Sequence, residues 1–87
     1  MSYRVLFTKQ AQKEFLKLNK DIRSRIDKAI TTKLYKNPGQ HLIALHGSLR
    51  GMYKFRVGEY RLVCKREDDQ LIILVLTVKH RREVYKK

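Results

Sequence analysis

The chain has 87 residues, with 21 Lys and Arg against 8 Asp and Glu, a net charge of +13 that calls for a polyanionic or acidic partner. Its single cysteine, Cys64, excludes an internal disulfide and Cys-rich metal clusters and fits a reducing compartment. The longest apolar run, Leu71 to Leu76, is far too short to span a bilayer, and Met1 to Phe7 contains no long apolar run, so the expectation is one cytoplasmic domain over residues 1–87, without a membrane partner.

Tyr3 to Phe7, YRVLF, is rich in aromatic and β-branched residues and predicts a short strand. Thr8 is a good N-cap for a helix beginning at Lys9, in which Ala11, Phe15 and Leu18 form one apolar stripe. Asn19 caps a second helix that runs to about Lys36. Its stripe is Ile22, Ile26, Ala29, Ile30 and Leu34, and its other face carries Arg23, Arg25, Lys28, Lys33 and Lys36. Asn37-Pro38-Gly39 stops this helix. Gln40 to Arg50 shows no period and reads as loop.

Gly51 to Arg66, GMYKFRVGEYRLVCKR, predicts a β-hairpin. Tyr53, Phe55 and Val57 alternate with Lys54 and Arg56, and Gly58-Glu59 supplies a two-residue type II′ turn. That turn places Val57 opposite Tyr60 and Arg56 opposite Arg61. Like charges directly opposite destabilise a ladder, so this pairing suggests an anion between the two side chains. Leu71 to Val78, LIILVLTV, is apolar on both faces and predicts a buried central strand. The tail from Lys79, KHRREVYKK, is basic again. Arg50–Arg66 and Lys79–Lys87 carry net +5 and +4, most of the charge of the chain.

The order β-α-α-β-β-β predicts an α+β fold, with a helical hairpin on one face of a mostly antiparallel four-stranded sheet. Lys54, Arg56 and Arg61 stand on the other face, which with the basic tail makes a groove for single-stranded nucleic acid. No paired carboxylates, metal-spaced ligands, Gly-rich phosphate loop or Ser-His-Asp set is evident, so no metal and no cofactor is expected. Lys, Arg, His80 and Tyr85 remain. They suit attack of an RNA 2′-hydroxyl on its adjacent phosphate, because the substrate brings its own nucleophile. Guanidinium groups hold the charged transition state, and a Lys crowded by cations has a lowered pKa and can act as a base.

The segments LRGMYKFRVGEYRLV and VKHRREVY resemble RelE-type toxins of bacterial toxin–antitoxin modules, within the RelE/ParE superfamily, and the order of elements fits over essentially the whole chain. The resemblance implies a small basic endoribonuclease, an mRNA interferase that enters the ribosomal A site, cuts mRNA there and is silenced by an acidic antitoxin. It implies as catalytic residues Lys54, Arg56, Arg61, Arg81 and Tyr85: Lys54 as leading base candidate, Arg61 on the scissile phosphate, Arg81 at the leaving 5′-oxygen and Tyr85 stacked on a base. Arg50, Lys65, Lys79, His80 and Arg82 are the expected substrate-binding residues. Lys79 stands where many relatives have Gly, so His80 is a further candidate for proton transfer. Two alternatives stay open, a ParE-like gyrase poison and a plain basic RNA-binding domain.

Overall fold

The computed structural model describes residues 2–80. The elements are β1 (Arg4–Phe7), α1 (Lys9–Leu16), α2 (Lys20–Ala29), α3 (Pro38–His41), β2 (Ile43–Ala44), β3 (Tyr53–Val57), β4 (Tyr60–Glu67) and β5 (Ile72–His80). The α+β class stands, and the helices pack on a mixed sheet. That sheet has five strands rather than four, in the order β1-β5-β4-β3-β2. The extra strand is β2, two residues inside the aperiodic stretch read as loop, where Ile43 pairs with Lys54 and Ala44 with Tyr53. A two-residue strand has no period to detect. β1 runs parallel to β5, and every other pairing is antiparallel.

Both helix starts follow from their caps. The Ala11 amide donates to Thr8 Oγ1 at 3.1 Å and the Ile22 amide to Asn19 Oδ1 at 3.1 Å, each satisfying one of the unpaired donors of a first turn. α2 does not stay α-helical to Lys36. Residues Ile30–Leu34 form a π turn, closed by the Tyr35 amide on the Ile30 carbonyl at 3.0 Å. Just there the Thr31 and Thr32 hydroxyls donate back to the carbonyls of Asp27 and Lys28 at 2.9 and 2.8 Å, competing with the regular ladder.

The core lies between the helices and one sheet face. Ala11, Ile26 and Leu34 meet Phe55, Val57, Leu62, Cys64, Ile73, Val75 and Val78. Each large side chain sealed there contributes about 1.5–3 kcal/mol. The predicted hairpin register holds, with Val57 opposite Tyr60 and Arg56 opposite Arg61. Gly58 has φ 58°, and Glu59 is not among the positive-φ residues, as a type II′ turn demands.

One irregularity sets the far end of β5. Val63 pairs with Thr77 but Cys64 pairs with Val75, so Leu76 is a bulge residue. Ile73 and Val75 face the core; beyond the bulge the parity inverts, and Val78 faces it instead. Thr8 holds this bulge: its amide donates to the Val75 carbonyl at 3.0 Å and its hydroxyl to the Leu76 carbonyl at 3.0 Å. None of the helices among the described residues is long and apolar enough to cross a membrane.

Candidate nucleic-acid interface

The sheet face away from the helices carries a row of three cations on three adjacent strands. Arg56 on β3 is directly opposite Arg61 on β4, which is directly opposite Lys79 on β5. Opposed Cα atoms lie about 4.5–5.5 Å apart, so the row spans about 10 Å. Lys79 owes its place to the bulge; on the uninterrupted parity of Ile73 and Val75 it would face the core. Arg61 is only 5% exposed, so it does not splay into solvent as an open basic face would suggest. Its planar guanidinium is a rigid fork of donors. Lys54 stands one row along from Arg56, half-buried between Ile43 of β2 and Val63 of β4.

A carboxylate anchors one end of the row. β1 pairs with β5 only as far as Val75, which leaves the rest of that edge of β5 without a strand among the described residues. Glu14 of α1 takes the vacant position. It accepts from the Val78 amide at 2.8 Å and the Thr77 hydroxyl at 2.6 Å, and pairs with Lys79 Nζ at 2.7 Å. Burial raises the pKa of Glu14, but these donors and Gln10 overcome it and hold the group at about 2. The sequence pattern gave no sign of Glu14, because its partners are more than 60 residues away along the chain.

The residues 5–85 match the family model described as ParE toxin of type II toxin–antitoxin system, parDE. The chain belongs to this family. It is a type II toxin of the RelE/ParE superfamily and resembles the RelE type. It is 29% identical to Toxin RelG of Mycobacterium tuberculosis over 87 residues, all of both chains. The RelBE2 toxin–antitoxin complex of Mycobacterium tuberculosis superposes with a TM-score of 0.87 at 28% identity, covering 93% of this chain and 100% of that one. A mutant of Escherichia coli RelE in the free state gives 0.75 at 27% identity, covering 99% and 90%. The archaeal RelE–RelB complex of Pyrococcus horikoshii gives 0.73 at 28%, covering 93% and 97%.

The other predicted site residues of this RelE-type toxin divide three ways. His80 pairs across the ladder with Tyr60 and so stands on the helix side, its ring edge-on to Tyr60 at 5.2 Å. The bulge that turns Lys79 outward turns His80 away from the cation row. Lys65 is exposed on the same face as Arg61, four residues or about 13 Å further along β4. Arg50 is exposed at the opposite end of β3 from Arg56, after a short 3-10 turn at Gly47–Leu49. Arg81, Arg82 and Tyr85 lie outside the described residues. Cys64 is fully buried, and burial pushes its thiol up to about 12, so it supplies no thiolate.

Proposed function

We propose that this toxin is a ribosome-dependent endoribonuclease that cuts mRNA in the A site without needing a metal. The observation that carries the reading is the row Arg56–Arg61–Lys79, three cations abreast on one sheet face, next to Lys54. Such a row has a use when a phosphate lies across it. The 2′-oxygen of the RNA attacks the adjacent phosphorus, a P–O bond forms, and the P–O5′ bond breaks to leave a 2′,3′-cyclic phosphate and a 5′-hydroxyl. Lys54 takes the 2′-hydroxyl proton, and Arg61, with Arg56, holds the charge that builds on the non-bridging oxygens. Arg81 steadies the departing 5′-oxygen, which takes its proton from water to become the 5′-hydroxyl, and Tyr85 orients a base by stacking, both residue roles supported by the RelE resemblance. The toxin's partner is an acidic antitoxin, supported by the toxin–antitoxin complexes of the similar structures.

The description of the family as ParE favours a second reading, poisoning of gyrase. Toe-printing of mRNA on ribosomes separates the two. The nuclease reading predicts cut messages with the native toxin and a loss of about 10²–10³-fold in rate with Arg61→Ala, the usual effect of removing one transition-state donor. Intact messages together with trapped gyrase–DNA complexes in cells would establish the second reading instead.

A further inference from the structure

Among the described residues, no strand covers the edge of β3 beyond Lys54, because β2 pairs only with Tyr53 and Lys54. The helical layer comes up beside this edge and forms a groove of about 320 Å³ with it. Arg25, Lys28 and Lys33 line the groove from the helical side and Arg56 from the sheet, over a floor of Ala29, Thr32, Val57 and Gly58. The helical members fall at i, i+3 and i+8, with Ala29 and Thr32 at i+4 and i+7, so they share one face of the helix. Among the described residues, no carboxylate lines it. Arg25, Lys28, Lys33 and Arg56 are all exposed, and none of them makes an ion pair among the described residues. Arg25 reaches the hairpin turn, its Nη1 being 3.8 Å from where a Cβ on Gly58 would sit.

Arg56 belongs both to this groove and to the row Arg56–Arg61–Lys79. Among the described residues, the positive surface therefore continues from the sheet face, over the edge of β3, onto the helices. From Arg25 to Lys33 the cations cover about 12 Å along the helix axis, which suits a chain of anions rather than one ion. The floor is made largely of small residues, which lets a sugar–phosphate backbone come close to the four cations. We propose that this groove is a second RNA-backbone site, which grips the strand flanking the phosphate held at the cation row. It rests on the reading of the toxin as an RNA-directed protein, but not on cleavage.

The test measures binding of the toxin to a fluorescein-labelled single-stranded RNA of 20 nucleotides across a salt series. Two variants lose the same charge in different places: Arg25→Gln/Lys28→Gln/Lys33→Gln in the groove and Lys9→Gln/Lys13→Gln/Lys17→Gln on α1 and its C-cap. Each lost phosphate contact lowers the slope of log affinity against log salt by about 0.7, so the groove variant should lose about 2 and the α1 variant much less. Equal losses in the two variants, or an unchanged slope in the groove variant, would overturn the site. A groove variant that keeps its RNA slope but loses affinity for polyglutamate would overturn it in favour of an acidic protein partner. Native toxin that shows the predicted slopes yet leaves ribosome-bound messages intact would refute the nuclease reading and leave the groove standing. Thermal melts check that both variants fold; should the groove triple not fold, Lys28→Gln/Lys33→Gln carries the test with a slope loss of about 1.4.

Discussion

Glu14 is one of eight acidic side chains in a chain of net charge +13, and it serves the strand that carries the end of the cation row. Its folded pKa, about 2, is below its ordinary value of 4.5. A depressed carboxylate contributes stability that is fully present above 4.5 and is lost as pH falls from there through 2. Thermal melts of the native protein and Glu14→Gln should therefore differ by a constant amount above pH 4.5 and converge towards pH 2. A difference independent of pH over that window would show that the carboxylate charge is not what matters. At this scale the sequence was informative about Arg56 and Arg61, since a two-residue turn at Gly58-Glu59 leaves only one register. It was uninformative about Glu14, whose partners come from the other end of the chain. Nor did it show that Lys79 and His80 point to opposite faces, with Lys79 beside Arg61 and His80 against Tyr60.

Among the elements, β5 shows why that happened. An apolar run such as LIILVLTV hides its own parity: any residue in it could face the core. The bulge at Leu76 therefore leaves no trace in the sequence, yet it decides which of Lys79 and His80 joins the row. The device that holds the bulge is legible as something else. Thr8 is the N-cap its sequence position predicts, but the same hydroxyl also donates to the Leu76 carbonyl. Thr8→Val keeps the shape and removes both bonds. It should cost about 1–2 kcal/mol, and each kcal/mol lowers Tm by about 4–8 °C in a domain of this size. Thr8→Ser should keep most of the stability. If the Val and Ser variants melt together, the hydroxyl does not secure the start of α1 to β5. The two-residue β2 and the π turn at Ile30–Leu34 were not legible either: the first is too short to show a period, and the second arises from hydroxyl competition within an otherwise regular helical pattern.

For the whole molecule, the α+β class and the packing of both helices on one sheet face were legible from the apolar stripes and the order of elements. The same charge that marks the open face should govern how the toxin meets its antitoxin. Oppositely charged partners are steered together, so the association rate should fall steeply as salt rises while dissociation changes less. Stopped-flow mixing with the cognate antitoxin reads both rates; an association rate flat with salt would remove the electrostatic account of recognition. The central claim, however, is that the cation row serves a nucleophile supplied by the RNA itself. The direct test is a ribosome programmed with mRNA in which the one A-site nucleotide before the scissile phosphate is 2′-deoxy. The account predicts that this message stays intact while the all-ribose message is cut to a 2′,3′-cyclic phosphate and a 5′-hydroxyl; cleavage of the deoxy message at the same position would contradict it.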